Sequence, residues 1–287
     1  MVLSKYADHL PLYRQQKMFE RWGAKISRQS MADWVQVVAF WLKPLYNYMR
    51  RELLDSGYVQ ADETPVRFQD PDKKKGKTSQ GYLWVAHSPG LGVVFDWRLS
   101  RKHMEATRLL DGFKGLLQTD GYEAYRELAK NDEEIVHLGC WAHARRGFFE
   151  ARLDHPREAG LILALIGRLY DFEREYRNGG LSHQQRKVSR QNEHRRILKW
   201  LRIVITICQH RCLYQSNLGK ACSCTLPRWE NLTAYLKYGN VEIDNNLIEN
   251  KIRPTAIGKK NWLFIGSPQS GERTAVIYSM LLIPNII

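Results

Sequence analysis

The stretch YVQADETPV, residues 58–66, is the first of three successive segments rich in β-branched and aromatic residues. The other two are GYLWVAHSP (81–89) and LGVVFDWRLS (91–100), and Gly, Pro and Lys turns separate the three. Short runs of this composition between turn residues predict β-strands. The segment QDPDKKKGKTSQ (69–80) is polar and rich in turn residues, so it predicts a loop whose lysines face solvent.

After the third strand, helical and strand-like patterns alternate. In chain order they are the helical HMEATRLLDGF (103–113), the strand-like FKGLLQTD (113–120), the helical YEAYRELAKN (122–131) and the strand-like EIVHLGCWAH (134–143). Three consecutive strands followed by strand, helix, strand units predict an α/β fold. We expect a mixed five-stranded sheet flanked by helices.

The segments around this sheet have helical patterns. Residues 1–55 predict a helical segment in which Gly23 ends one helix and Ser27 or Ser30 caps the next. This segment resembles a helix-turn-helix DNA reader, and a plain helical hairpin fits it at least as well. Residues 151–238 carry no strand signal and predict a helical insertion.

The last part of the chain, residues 239–287, is expected to complete the sheet domain that begins with residues 56–150. It contains a polar segment that predicts a helix, EIDNNLIENKIRP (242–254). A strand-like NWLFIG (261–266) and an apolar helix from Thr274 are predicted to follow.

The charge balance indicates the kind of partner. The chain has 44 Lys and Arg against 30 Asp and Glu, a formal net charge of +14. Such an excess favours nucleic acid, because each basic side chain that meets a phosphate releases condensed counterions. No stretch reaches the roughly 20 apolar residues of a membrane span, and the first residues lack the apolar core of a signal peptide. We therefore expect a cytoplasmic protein, without a membrane partner.

The chain has five cysteines, an odd number that predicts reduced thiols rather than a disulfide framework. Four of them cluster, with His210 between the first two: Cys208, Cys212, Cys222 and Cys224. Their C-x3-C and C-x-C spacings fit known zinc sites poorly. We expect ordinary thiols there.

Two aspartates end strand-like runs. Asp62 follows YVQA, and Asp120 follows LLQT and precedes Gly121. Phosphoryl transfer by two metals needs carboxylates on rigid elements that hold the ions ~3.5–4 Å apart, and open α/β sheets collect ligands at the carboxyl ends of strands. Each aspartate alone is also explained as a turn former or helix cap. The pair has no evident role in folding and so indicates catalysis.

A third acid lies in the polar segment 242–254. One helical face of it, at three- and four-residue steps, consists of Asn245, Asn246, Glu249, Asn250 and Arg253. A surface helix capped by Asp244 explains this face equally well. Composition therefore does not select Glu249 over Glu242 or Asp244.

Several motifs are long enough to compare with a known family: ADETPV (61–66), QTDGYEAY (118–125), GCWAHARRGFF (139–149) and EIDNNLIENKIRP (242–254). They resemble the insertion-sequence-sixty-six transposases. The similarity continues through GKKNWLFIGS and SGERTAVIYS, and the opening KYADHLPLYRQ and SRQSMADWV also resemble that family. The resemblance covers most of residues 5–280.

This resemblance implies a ribonuclease-H-like fold and a transposase that cuts and joins DNA at the inverted ends of a bacterial insertion sequence. It implies an Asp-Asp-Glu site in which Asp62, Asp120 and Glu249 are catalytic and bind two Mg²⁺ or Mn²⁺ ions. Such metals activate water or a 3′-hydroxyl and stabilise the leaving oxygen. The implied partners are the terminal repeats, target DNA, further copies of the chain in a synaptic complex, and accessory proteins of the same element.

Other residues take roles from the same resemblance. Cys140 and His143 resemble the Cys-x-x-His element that follows the second aspartate in related transposases. Two ligands alone make a poor metal site, so we expect His143 to contact DNA or to orient a carboxylate. Candidate phosphate contacts are Arg145, Arg146, Arg253, Lys259 and Lys260. Trp262 either stacks on an unpaired base or anchors the core, and the apolar run after it favours the core.

Parts of the family pattern are missing. Full-length relatives carry an amino-terminal coiled coil and a cysteine-rich zinc module before the segment with which this sequence begins. The stretches IVITICQHRCLYQ (203–215) and LLIPNII (281–287) do not resemble the family. Two functions follow: an active transposase core, favoured by the three acids, and a truncated, inactive remnant that still binds DNA, favoured by the missing ends.

Overall fold

The computed structural model describes residues 1–73 and 77–282. Within that range the strands are β1 Tyr58–Gln69, β2 Thr78–Ser88, β3 Gly92–Arg98, β4 Gly115–Gln118 and β5 Ile135–Leu138. They form a five-stranded sheet in the order β3-β2-β1-β4-β5. β1 pairs antiparallel with β2, and β2 pairs antiparallel with β3.

The other edge of the sheet is parallel. The Gly115 N–H donates to the Glu134 carbonyl, and the Thr119 N–H donates to the Leu138 carbonyl, so β4 and β5 advance in the same direction. The sheet is therefore mixed. This confirms the α/β fold predicted from the sequence, with the five strands of a ribonuclease-H-like core.

Helices precede, separate and follow the strands along the chain. Before and between the strands they are α1 Val2–Tyr6, α2 Leu12–Arg21, α3 Arg28–Leu54, α4 His103–Leu109 and α5 Glu123–Asn131. After β5 come α6 Trp141–Glu150, α7 Pro156–Asn178, α8 His183–Ser189, α9 Arg195–Arg211, α10 Asn217–Thr225 and α11 Trp229–Thr233. The last two are α12 Asn246–Trp262 and α13 Pro268–Leu281. No helix in the described ranges is long and apolar enough to cross a membrane.

The amino-terminal helices form as predicted. Gly23 adopts φ +83° between α2 and α3, a conformation that costs glycine little. Ser27 is the N-cap of α3, and its hydroxyl accepts the Ser30 N–H at 3.0 Å. α3 packs against β3 and α13. A DNA-reading role for this pair of helices stays a prediction.

The predicted fifth strand, residues 134–143, is too long. β5 ends at Leu138, because the next N–H, that of Gly139, donates to the Asn231 carbonyl instead of continuing the ladder. Cys140 is then the N-cap of α6. The apolar residues that follow belong to a helix whose Trp141 is buried, and a short apolar run does not distinguish the two structures.

The predicted strand at NWLFIG, residues 261–266, is also wrong. α12 continues to Trp262, and Leu263 then turns the chain with φ +63°. Ile265 makes a single parallel bridge to Phe68, and no strand forms between residues 261 and 266. The last helix begins at Pro268 rather than Thr274, because Ser267 caps it and proline suits its first turn.

The loop between β1 and β2 is shorter than predicted, since β1 extends to Gln69 and β2 begins at Thr78. Lys73 and Lys77 are exposed, as expected. Lys74 and Lys75 lie outside the described residues. The stretch 281–287, which does not resemble the family, is described only through residue 282.

The chain divides into two compact units. The first unit comprises residues 1–117, 123–135 and 246–287, and the second comprises 118–122 and 136–245. The core of the first unit joins the sheet to α12 and α13, with buried Val66, Val85, Phe95, Ile248 and Ile277. In the second unit Trp141 and Trp229 pack edge to face at 5.8 Å, and Trp141 Nε1 donates to the Leu232 carbonyl at 2.8 Å.

Candidate active site

Asp62 lies within β1, which continues to Gln69, and not at the carboxyl end of a strand as the sequence predicted. It is on the face of β1 that α12 covers. Side chains alternate along a strand, so Gln60, Asp62 and Thr64 point to the same face. Gln60 Oε1 accepts the Ile248 backbone N–H at 3.2 Å. Thr64 Oγ1 accepts a hydrogen bond from Lys259 Nζ at 2.8 Å. Because both neighbours contact α12, the half-buried Asp62 faces that helix.

Glu249 lies in the first turn of α12, directly after Ile248. The backbone N–H groups of a first helical turn favour a carboxylate. Since the Ile248 N–H is held by Gln60, the turn that carries Glu249 lies against the strand that carries Asp62. The structure therefore brings the elements of these two acids together in the first unit.

Two other acids near Glu249 have structural partners. The Glu242 carboxylate accepts hydrogen bonds from Arg186 Nη1 and Nη2 at 3.2 and 2.9 Å. Asp244 is buried, and its charge adds to the effect of burial in raising the pKa of Tyr170. Composition did not separate these acids from Glu249. The bonds to Arg186 give Glu242 a structural role.

Glu63, the neighbour of Asp62, belongs to a different cluster. Its carboxylate accepts a hydrogen bond from Tyr125 Oη at 3.0 Å and pairs with Arg101 Nη2 at 2.6 Å. Adjacent strand residues point to opposite faces. Glu63 is thus an ion-paired structural acid on the face of β1 away from α12.

Asp120 follows β4 and belongs to the second unit. Its Oδ1 accepts the Tyr122 N–H at 2.8 Å, which is the turn-forming bond that the sequence also allowed. Gly121 adopts φ +91°, and a Cβ there would come within 2.7 Å of the Arg228 guanidinium. Arg228 therefore lies beside the aspartate turn. No sequence signal pointed to it, because it is remote in the chain.

The donor chemistry of Asp62, Asp120 and Glu249 suits Mg²⁺ or Mn²⁺, which prefer carboxylate oxygens. Within residues 1–73 and 77–282, no three His, Cys, Asp or Glu side chains are grouped closely enough to hold one metal ion. A metal site formed by these three acids stays a proposal.

Cys140 and His143 contact each other at the start of α6. Cys140 Sγ lies 3.3 Å from His143 Nδ1 and accepts the Asn245 N–H at 3.5 Å. Burial raises the pKa of Cys140 to about 12, so the thiol is protonated at neutral pH. Cys140 holds the last residue before α12.

The predicted phosphate contacts differ in exposure. Four are exposed and available to a ligand: Arg145, Arg146, Arg253 and Lys260. Lys259 is half-buried and donates to Thr64 Oγ1 and to the Pro65 carbonyl at 2.9 Å. Its position suits the attachment of α12 to β1. Trp262 is half-buried and packs against the core, as the sequence favoured.

The cysteine-rich stretch contains free thiols. Burial raises the pKa of both Cys208 and Cys222, the latter to about 12. Cys212 is half-buried and Cys224 is exposed.

A buried ion cluster in the second unit, which we call the insertion cluster, consists of Glu173, Arg186, Arg190 and Glu242. Arg190 is fully buried and bonds both carboxylate oxygens of Glu173, at 2.6 and 2.9 Å. It also donates to the carbonyls of Tyr238 and Val241. The cluster thereby holds the backbone that leads to α12. No motif or spacing in the sequence indicates this cluster.

The same backbone is tied to the end of β4. Gln118 Nε2 donates to the Glu242 carbonyl at 2.9 Å, and the Trp141 N–H donates to the Ile243 carbonyl at 3.1 Å. Gln118 is two residues before Asp120. The aspartate turn and the segment before α12 are thus held together within the second unit.

Comparison with known proteins gives the chain a family. The model of the Transposase IS66 family matches residues 1–273. The chain belongs to that family. A transposase role in general follows from this membership, in agreement with the motifs at 61–66, 118–125 and 242–254.

Relatives in Sinorhizobium fredii are similar to this transposase-family chain over nearly all of its length. The uncharacterized protein y4jD is 35% identical across 98% of this chain and 57% of its own length. The uncharacterized protein y4qI is 34% identical across 98% of this chain and 54% of its own length. The chain spans about half the length of these relatives.

Proposed function

We propose that this chain carries the catalytic core of a DNA transposase, which cleaves DNA strands at the ends of an insertion sequence and transfers them to target DNA. Membership of the Transposase IS66 family and the mixed five-stranded sheet support this proposal. The net charge of +14 suits a DNA partner. The proposed partners are the terminal repeats, target DNA, further copies of the chain and accessory proteins of the element.

In this proposal Asp62, Asp120 and Glu249 are the catalytic acids and the ligands of Mg²⁺ or Mn²⁺. When bound, the ions supply Lewis-acid activation of the attacking oxygen and stabilise the leaving oxygen. Gln60 and Lys259 fix α12 on β1, which sets where Glu249 lies relative to Asp62. Asp120 is oriented by its bond to the Tyr122 N–H.

One observation carries the proposal: α12 is fastened to β1 on both sides of Asp62. α12 would remain helical without its two hydrogen bonds to β1, one from the Ile248 N–H in its first turn and one from Lys259 near its end. Two such bonds fix its position along the strand. Fixed carboxylate positions are what metal-assisted phosphoryl transfer requires.

The test uses the purified chain, Mn²⁺ and a labelled duplex that carries the element's terminal repeat. We expect cleavage and strand transfer by the wild type. Asp120→Asn should reduce both activities by more than about a hundredfold. Replacing a residue that only hydrogen-bonds to a metal ligand already lowers metal affinity or activity by about 10–100-fold. The matched control is Glu123→Gln, which removes an exposed acid close in sequence and should leave activity unchanged.

Three other results would change the assignment. Cleavage without joining would indicate a nuclease rather than a transposase. Equal activity of Asp120→Asn and wild type would exclude the acidic triad. DNA binding and a native circular dichroism spectrum without any cleavage would support the inactive remnant instead.

A further inference from the structure

A cavity of about 180 Å³ lies in the first unit, where α1 and α3 meet the end of α12 and the start of α13. Most of its wall is apolar. The side chains that the argument uses are Tyr6, Trp262, Phe264, Lys5 and Arg273. Sites for drug-sized ligands begin at roughly 300 Å³, so this cavity has room for a group the size of one base.

Two cationic side chains, Lys5 and Arg273, line the cavity, and no acidic side chain of the described residues does. In the described part of the chain no Asp or Glu lines it, and neither Lys5 nor Arg273 forms an ion pair. Burial lowers the pKa of Lys5 to about 8, and no neighbouring carboxylate counteracts this. Taking a cation out of water without a counterion is costly. The cavity is therefore electrostatically suited to an anionic ligand.

Two aromatic side chains, Trp262 and Phe264, also line the cavity. Trp262 is half-buried and Phe264 is 42% exposed at the rim. Leu263 between them has φ +63°, a conformation that is strained for a residue with a side chain. This strained turn carries the chain from the end of α12 to the bridge at Ile265 and leaves Phe264 at the opening. Flat rings beside cations suit a base with its phosphate.

The cavity lies at the far end of the helix that begins with Glu249. The 13 residues from Glu249 to Trp262 span about 20 Å at 1.5 Å per residue. Glu249, Arg253 and Lys260 lie on one face of α12, because they are spaced by four and seven residues. Both basic side chains are exposed. If the proposed function places a DNA strand at Glu249 and along this face, Arg253 and Lys260 are the cations that it would meet before the end of the helix.

From this placement we infer that the cavity is a subsite for one extruded nucleotide of the bound DNA, with its base against Trp262 and Phe264 and its phosphate near Lys5 and Arg273. At 3.4 Å per nucleotide, about 20 Å places it about six nucleotides from the reacting phosphate. This distance rests on the proposed function, whereas the ligand class rests on the cavity alone. Extrusion costs least where a base is mispaired, which gives a test that needs no catalysis.

The experiment measures binding of the full chain to the terminal-repeat duplex in EDTA, which prevents cleavage. A single mismatch is moved along the duplex from the cleaved end. We expect a mismatch about six positions from that end to tighten binding about fivefold, because the cost of unpairing has been removed. Mismatches at the other positions should leave the dissociation constant unchanged.

Variants separate the subsite from general attraction to phosphate. The double variant Lys5→Met/Arg273→Met should lose the gain from the mismatch. The matched control Arg195→Met/Arg196→Met removes two exposed cations and should keep the gain, although its overall affinity falls through lost counterion release. Phe264→Ala removes a ring at the rim without touching a buried charge, and it should reduce the gain as well.

The inference is overturned if no position responds, or if Lys5→Met/Arg273→Met responds like the wild type. It is also overturned if deoxyadenosine monophosphate saturates the cavity more tightly than the duplex binds, since a free nucleotide would then be the ligand. Nicking with Mn²⁺ is assayed on the same preparation. Nicking without a mismatch effect removes the subsite and leaves the proposed function standing. A mismatch effect without nicking supports the subsite and contradicts the proposed function.

Discussion

The insertion cluster fully buries Arg190, the cavity half-buries Lys5 and Arg273, and the two regions differ in whether a carboxylate balances these cations. In the insertion cluster Arg190 and Arg186 are matched by Glu173 and Glu242 at 2.5–3.2 Å. The cavity has two cations and no acid in its wall.

The difference indicates what each region is for. A buried cation that is paired with a carboxylate of the same chain needs no anionic ligand, and its role is to fix the position of the surrounding chain. A cation held without one weakens the free protein and strengthens an anionic complex. The balance of charge within a buried group therefore distinguishes a structural site from a binding site. We expect that removing one charge changes the free energy of unfolding in opposite directions in the two regions.

The largest effect is expected from Glu173→Gln. The change leaves the fully buried Arg190 without a counterion, and breaking a buried pair from one side typically costs about 3–5 kcal/mol of unfolding free energy. Urea denaturation of the full chain measures it. The control is Asp171→Asn, which breaks the exposed pair with Arg174 and should change stability by less than about 1 kcal/mol. Equal effects of the two substitutions would show that the cluster is not structural.

A second effect concerns pH and His194, which packs beside the insertion cluster. Burial lowers the pKa of His194 to about 4, although the Glu173 charge acts in the other direction. The unfolded chain protonates this ring near 6.5, so as pH falls from 6.5 towards 4 the unfolded state binds the proton first. Stability is then lost across that window, by about 3 kcal/mol in total.

The measurement is the unfolding free energy at several pH values between those limits. His194→Gln should remove the His194 part of the slope, even though it also loses the 2.8 Å bond to Tyr235 Oη. Loss of the Glu173 stabilisation adds to the slope only at the acid end, because its arginine partners lower the pKa of that carboxyl despite burial. His183→Gln, an exposed control, should keep the full slope.

Local composition was enough to predict most of the sheet. β1, β2 and β3 are runs of branched and aromatic residues between turns, and the structure places them there. The failures were short apolar runs, at residues 134–143 and 261–266. In each a helix boundary decides the structure, and that boundary depends on bonds to distant residues, such as Gly139 to Asn231.

The candidate site shows the same limit. Asp62 and Asp120 stood out because each follows an apolar run, although only Asp120 follows the end of a strand and Asp62 lies within β1. Glu249 was chosen through the family resemblance. Gln60, which fixes the Glu249 turn, lies 188 residues away from Ile248 in the chain, and no periodicity links residues so far apart. The insertion cluster and the cavity cations were missed for the same reason.

The smallest effect tests the cavity directly, and its sign is opposite to that of Glu173→Gln. Lys5→Met should stabilise the free protein by about 1 kcal/mol at neutral pH, because methionine removes an uncompensated charge and keeps an unbranched apolar side chain. This is less than the lowered pKa alone implies, since Lys5 is only half-buried and water screens it. Lys17→Met, at an exposed site, should change stability by less than about 0.5 kcal/mol.

Raising the pH should erase the difference between Lys5→Met and the wild type. The folded-state pKa of about 8 lies below the ordinary 10.5, so between these values the unfolded chain holds a proton that the folded chain has released. Wild-type stability therefore gains relative to Lys5→Met as pH rises from about 8 to 10.5. The titratable groups that face Lys5 in the cavity wall are Tyr6 and Arg273, and burial raises the pKa of Tyr6 to about 12. Because both variants keep these groups, only Lys5 can close the gap. A gap that stays constant would mean that the ammonium is solvated, and the cavity would then have no excess charge for a phosphate to neutralise.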